Sequence, residues 1–388
     1  MMIAWLLLTP AAAAVLLVLW FVRSRNLQVW LPAYLRAKLK RTPPVRGPVH
    51  LLIAIADHWE PRWNNATYEQ ETARVDTWYR RYPELARKHR DADGVPLQYT
   101  FFYPEEEYRA EHLDKLAELK RMGLADVEVH LHHDHDTAAG LAEKLIRFKR
   151  VLHERHGLLD RNEETGQIEY AFIHGNWALD NSDGGRWCGV DDELTVLHAT
   201  GCYADLTLPA APEPAQTRKI NSIYYAAGRP NRSKSHDTGI DAQAGQPAPP
   251  GLLLIQGPLA LNWRERKFGV LPRIENGELT ADNPPSPHRA ALWVRTGVHV
   301  QGRPNWVFIK LHAHGANERH SAMLLGQPME DLLTHLETTY NDGTRYVLHY
   351  VTARDMYHIV RAAEAGLEGN PHLYRRFQPA ARQGAGAC

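Results

Sequence analysis

The chain has 388 residues, with 45 lysines and arginines against 45 aspartates and glutamates. The length fits one large domain with attachments or two domains, and 44% hydrophobic with 23% charged residues is a globular composition, not a disordered one. Zero net charge gives no general pull on nucleic acid, so no nucleic-acid partner is expected, and three cysteines without a C-x-x-C pair exclude a disulfide framework and argue against thiolate metal sites.

Residues Ile3 to Val22 read IAWLLLTPAAAAVLLVLWFV without a charge. At about 1.5 Å per residue this run matches a hydrocarbon core of roughly 30 Å. A cleaved signal peptide would start on a basic region, which MMIAW lacks, so a retained single-pass anchor is expected over residues 1–26, with the lipid bilayer as partner. Arg23, Arg25, Arg36, Lys38, Lys40 and Arg41 all follow the span, which places the soluble domain on the cytoplasmic side by charge bias, the extracytoplasmic side being the alternative. Residues 27–48 read as a basic juxtamembrane linker, lying on lipid or solvated, and TPPVRGP ends it.

From Val49 apolar runs alternate with helical stretches. LLIAIAD, PLQYTFFYP, VEVHLHHDHDT, IEYAFIHGNWALDNS and YADLTLP read as strands. Helical patterns over residues 67–94, 106–123, 138–157 and 193–202 separate them, and GLLLIQGPLALNW, WVFIKLHAHGA and TRYVLHYVTARDMYHIVRAAEAG continue the rhythm. Strand–helix alternation implies βαβ units and a parallel sheet, most economically a β/α barrel over residues 49–370. Residues 209–250 are too long for an ordinary loop and read as an insertion over the site. ENGELTADNPPSPH is a second excursion, and residues 371–388 a loose tail.

The 22 histidines are the unusual count, since histidine is the commonest metal ligand and a frequent acid or base. They collect where a barrel keeps its functional groups, at the C-terminal ends of strands. Strand one ends Asp57-His58-Trp59-Glu60-Pro61, and strand three His130-Leu131-His132-His133-Asp134-His135-Asp136. Strand four exits into His174-Gly175-Asn176-Trp177, and a late strand ends in His312 and His314. Four histidines and two aspartates within seven residues would be costly to bury unpaired, so one divalent metal ion, zinc foremost, is the expected cofactor. Alternation puts His130 and His132 on one strand face and Leu131 and His133 on the other, and puts Phe308, Lys310, His312 and His314 together.

These residues resemble the NodB-type polysaccharide deacetylases, metal-dependent enzymes with a distorted parallel β/α barrel. The likeness runs over roughly Val49 to Ala365 as motif order. Ile55-Ala56-Asp57-His58 stands where the family has T-F-D-D, and Glu128-Val129-His130-Leu131-His132 resembles the approach to its H-S/T-x-x-H motif. The resemblance implies Asp57 as general base, a metal triad of His58, His132 and Asp136, and His312 or His314 as proton donor to the leaving amine. A competing ligand set uses Asp57, His130 and His132, or brings in His135. The third motif, R-x-P-Y/W, falls near His174, Asn176 and Trp177 without its arginine and proline, and Asp205 stands for a fourth; these four are the expected substrate-binding residues. Trp59 and Trp177 read either as sugar-stacking faces or as core.

Other residues take plainer readings. Glu60 orients His58 or makes a surface ion pair, and Asp180 and Asn181 bind substrate or cap a helix. Ser235-His236-Asp237 is a string in sequence, which a triad is not. Cys188 and Cys202 read as buried free thiols. The expected function is a membrane-tethered, metal-dependent hydrolase that removes acyl groups from a polysaccharide or glycolipid, with a membrane-bound polysaccharide synthesis machinery as a possible partner. The alternatives are a metal-free glycoside hydrolase pairing Asp57 or Glu60 with Asp205, and a non-catalytic polysaccharide-binding scaffold.

Overall fold

The apolar run after Pro48 forms strand β1 (Val49–His58), buried from His50 to its end. A computed structural model describes residue 12, residues 15–39 and residues 45–378. Twelve further strands follow: β2 (Tyr99–Pro104), β3 (Ala125–Leu131), β4 (Tyr170–His174), β5 (Cys202–Asp205), β6 (Ile223–Ala226), β7 (Ile240–Asp241), β8 (Leu252–Ile255), β9 (Ala260–Lys267), β10 (Leu271–Glu275), β11 (Glu278–Leu279), β12 (Trp306–Ala313) and β13 (Tyr346–Tyr350). Eleven of them make one sheet in the order β11-β12-β1-β2-β3-β4-β5-β8-β6-β7, with β13 beside the first half of β1. All pairings are parallel except those of β6, which runs antiparallel to β8 and β7.

The protein is therefore α/β with a mostly parallel sheet, as expected, but the ladder expected to close into a barrel is open among the described residues. The sheet nevertheless curls: Lys310 Nζ on β12 donates to the Leu206 carbonyl just past β5 at 2.8 Å, although four strands lie between. The expected insertion supplies β6 and β7, so it extends the sheet edge.

Both faces are covered. Leu51, Ile53 and Ile55 of β1 pack with Trp78 and Tyr82 of helix Tyr68–Lys88 and with Leu113, Leu116, Leu141 and Leu145 of the next two helices. Leu52, Ala54 and Ala56 face the other way, with Phe308 of β12 and with Met356, Ile359 and Val360 of helix Ala353–Glu364. Helix Tyr68–Lys88 starts on a capping box: Thr67 Oγ1 accepts from Gln70 N–H, and the Gln70 side chain accepts from Thr67 N–H.

Three expectations about the edges need correction. Residues 27–39 are not linker but helix Leu27–Leu39, whose Leu27 and Trp30 bury against Ala211 and Leu259. Continuous as it reads, GLLLIQGPLALNW is two strands: Gly257 and Pro258 interrupt it, and β9 turns back on β10 as a separate hairpin. A Cβ on Gly257 would sit 2.4 Å from the Lys310 carbonyl oxygen, so a side chain is excluded there. Residues 371–378 pack on the domain, where Tyr374 faces Trp306 and the Phe377 carbonyl accepts from His358; residues 379–388 lie outside the described part. Much of the expected membrane span, residues 1–11, 13 and 14, also lies outside it. Residues 15–24 are helical with Val15 to Trp20 exposed, and among the described residues no helix is long and apolar enough to cross a membrane.

Candidate metal centre

Side chains alternate along each strand, and this parity sorts the histidines. His58 shares the β1 face of Ala54 and Ala56. His130 lies opposite Val129 and Leu131 on β3, and His312 shares the β12 face of Phe308 and Lys310. His132 and His314 lie one step past their strands and join this set. The His58 ring stands 5.1 Å from His130, 4.7 Å from His314 and 6.1 Å from His312 between centroids, and His130 stands 4.6 Å from His132.

Glu60 holds the cluster together. Its Oε1 lies 3.2 Å from His130 Nε2 and 3.0 Å from His132 Nε2. Ligand atoms of Glu60, His130 and His132 fall within 4.8 Å of one another, and so do those of His58, Glu60 and His314. The far side of each ring is fixed. His130 Nδ1 donates to the Ile173 carbonyl at 2.7 Å, and His132 Nδ1 sits 2.5 Å from Glu106 Oε1. A ring nitrogen donating to a carbonyl or carboxylate is the arrangement that orients a metal-binding histidine and sends its other nitrogen forward. Glu60 Oε2, His58 Nε2 and both ring nitrogens of His312 are buried without a partner. Leaving such atoms bare is costly, and a cation among imidazole nitrogens and a carboxylate would satisfy those that reach it. The donor set fits a divalent ion.

The electrostatics divide: His58 is already neutral, whereas His132 is an imidazolium between two carboxylates and must give up a proton to serve as a ligand. Burial pushes the Glu60 carboxyl up, but hydrogen bonds from His130 and His132 outweigh it and hold the group well below the usual range. Burial lowers His132, yet Glu106 and Glu60 overcome that and push it up to about 10. Burial, helped by His314, His130 and His312, holds His58 far down, so it is a neutral ligand-ready imidazole. Burial also lowers His312, with Lys310 adding to it, and lowers His314 against the opposing pull of Glu60. Glu107 is pushed up to about 7 by burial, with Glu60 and Glu106 adding repulsion and the Arg62 N–H opposing. The cluster reaches solvent at His132 and Glu106, whose side chains are 31% and 34% exposed. Trp63 and Trp177 flank His314 at 5.5 and 5.7 Å.

Of the other expected site residues, Trp177 borders the cluster and the rest lie elsewhere. Asp57 has the parity of Ile53 and Ile55, so its carboxylate turns to the helix side. It accepts from Tyr99 O–H at 2.6 Å and Gly315 N–H at 2.8 Å, and burial raises it to about 7. Asp136 is not beside His132: it accepts from Lys144 Nζ at 2.6 Å and the Thr137 N–H, and lies 3.3 Å from His133. His174 shares the β4 parity of Phe172 and faces His133, and His135 is exposed. Asn176 is exposed, and half-buried Trp177 stands 5.6 Å from His58; both have positive φ, 53° and 55°, which a bulky Trp rarely adopts. Asp205 is buried and held by the Thr207 hydroxyl and N–H. Burial raises Asp205 to about 7 and lowers Lys310 to about 7. Trp59 packs on Trp78 and Phe101 as core.

Sequence reasoning missed Glu106 and Glu107 and gave Glu60 too small a place. The signal was present: three consecutive glutamates, Glu105 to Glu107, follow the second strand where functional groups gather. Compared with protein-family models and with curated proteins, the chain finds no match.

Proposed function

We propose that this chain is a metal-dependent hydrolase that removes acyl groups, N-acetyl foremost, from a polysaccharide or lipid-linked glycan. The convergence of Glu60, His130 and His132 on one point, with both rings anchored from behind, carries this reading. Glu60, His130 and His132 would hold the ion, with Glu60 in the carboxylate place expected of Asp136 and His58 beside them. When bound, such an ion lowers the pKa of water and polarises a carbonyl. Glu107, poised near neutrality, takes the proton of the attacking water. Glu107, once protonated, gives that proton to the departing amine, and neutral His314 lines the side where Trp63 and Trp177 offer apolar faces to a sugar ring. His312 is fully buried on the Lys310 face of its strand, its ring 6.1 Å from that of His58. The distorted barrel of the deacetylases belongs to the same proposal, supported by the curl that brings β12 to β5. So does a bilayer tether, supported by the exposed apolar side chains Val15 to Trp20.

Full chain incubated with N-acetylated oligosaccharides should release acetate. A chelator and Glu60→Gln should each abolish that release. A second reading is favoured by one observation: Glu60 is held low while Glu107 is pushed up, the divergence expected of a glycosidase carboxylate pair. Shortened oligosaccharides without acetate, formed with chelator present, would replace the first reading by the second.

A further inference from the structure

The parity that gathers the first cluster sends His133 and His174 to the opposite face of the sheet. There they meet Cys188, from the loop after β4, and Glu193, from the first turn of helix Glu193–Ala199. The side chains of His133, His174 and Glu193 are 0% exposed, and Cys188 is buried as completely. One ligand atom from each of the four lies within 4.8 Å of the others. Glu193 Oε1 is 3.1 Å from His133 Nε2 and 3.4 Å from His174 Nε2, and Glu193 Oε2 is 3.5 Å from Cys188 Sγ. Ligands held about 2.0–2.3 Å from a tetrahedral zinc ion are separated by edges of about 3.3–3.7 Å.

Hydrogen bonding alone does not satisfy this group. His174 Nδ1 donates to the Gly175 carbonyl at 2.5 Å, so the neutral ring turns a bare Nε2 toward a carboxylate, and that nitrogen has no partner. The carboxylate is fixed by the Asp180 N–H, which donates to Glu193 Oε2 at 2.6 Å. Behind His133 stands Asp136, itself held by Lys144 and the Thr137 N–H, 3.3 Å from an Nδ1 that makes no hydrogen bond, so this buried nitrogen too is left unsatisfied. The loop around the group is bound tightly. Asp136 N–H donates to the Cys188 carbonyl, a Cβ on Gly189 would lie 2.7 Å from Asp136 N, and Ser235 N–H of the insertion donates to Asp180 Oδ2 at 2.6 Å.

We infer that His133, His174, Cys188 and Glu193 form a second zinc site, closed and structural, that staples the loop between β4 and helix Glu193–Ala199 to the end of β3. Four protein donors fill a tetrahedron and leave no position for water, which distinguishes it from the first cluster. Thiolate, two imidazoles and a carboxylate suit zinc over the oxygen-seeking ions. The staple shares no ligand with the Glu60 cluster, so either site can fail alone.

X-ray absorption at the zinc edge tests this on full chain expressed with zinc. The expected spectrum contains a sulfur shell at about 2.3 Å. Cys188→Ser should lose that shell and one equivalent of metal, whereas Glu60→Gln should lose one equivalent and keep the shell. A folded wild type whose zinc shows nitrogen and oxygen neighbours only, or a sulfur shell that survives in Cys188→Ser, overturns the inference. If Cys188→Ser does not fold, the wild-type spectrum decides alone.

Discussion

Glu60 is the residue on which the first cluster turns, because one carboxylate oxygen touches two imidazoles whose other nitrogens are already committed. Glu106 acts through His132 and is a positioning residue. Glu106→Ala should weaken divalent-metal affinity by about 10- to 100-fold and leave the fold unchanged, read by chelator competition beside circular dichroism. Equal affinity in the variant would show that His132 needs no anchor. Glu107 carries a pH prediction. A base raised to about 7 is competent only when deprotonated, so kcat/KM should rise with pH through that region. In Glu107→Gln the rising limb should vanish and the rate fall by about 10²- to 10⁴-fold. An unchanged pH profile in that variant removes Glu107 from the chemistry.

The elements show what in the sequence was legible. His130 and His132 were placed on one face and His133 on the other by the two-residue period alone, and the structure has that division: His130 and His132 meet at Glu60, while His133 turns to His174. The same rule applied to β1 would have turned Asp57 away from His58; motif likeness set those two side by side instead. The β9–β10 hairpin stayed hidden because its apolar lead-in runs on from β8, and its outer residues are charged or exposed, as Trp263 and Phe268 are. Its anchor was hidden too, since it forms across the chain. Arg289, at the start of helix Pro287–Thr296, makes a two-pronged pair with Glu275 at the end of β10 at 2.7 and 2.8 Å, both fully buried, and Trp293 Nε1–H donates to the same carboxylate. Breaking a buried pair leaves a bare charge, so Glu275→Ala should cost about 3–5 kcal/mol in urea unfolding. A cost below about 1 kcal/mol would mean that the pair is solvated in solution.

Across the whole molecule, buried neutral histidines and buried carboxyls raised to about 7 pull the response to acid in opposite directions. Burial lowers His358 to about 4 against the opposing Phe377 hydrogen bond, and burial with His50 lowers His349, which bridges His50 and Asp93 at 2.9 Å each. Between the ordinary histidine value of about 6.5 and about 4, the unfolded chain binds protons that the folded chain refuses. Stability from these groups is full above that window and is lost as pH falls through it. Relative to wild type, His358→Gln should therefore lose less stability in urea unfolding between pH 7 and pH 4.5; an equal pH dependence would contradict the neutral burial of that ring.

The account rests on one ion among Glu60, His130 and His132, and anomalous diffraction at the zinc edge from crystals of the full chain measures that most directly. It predicts an anomalous peak about 2.0–2.2 Å from Glu60 Oε1, His130 Nε2 and His132 Nε2. Crystals saturated with zinc that show no peak between those three atoms would contradict it.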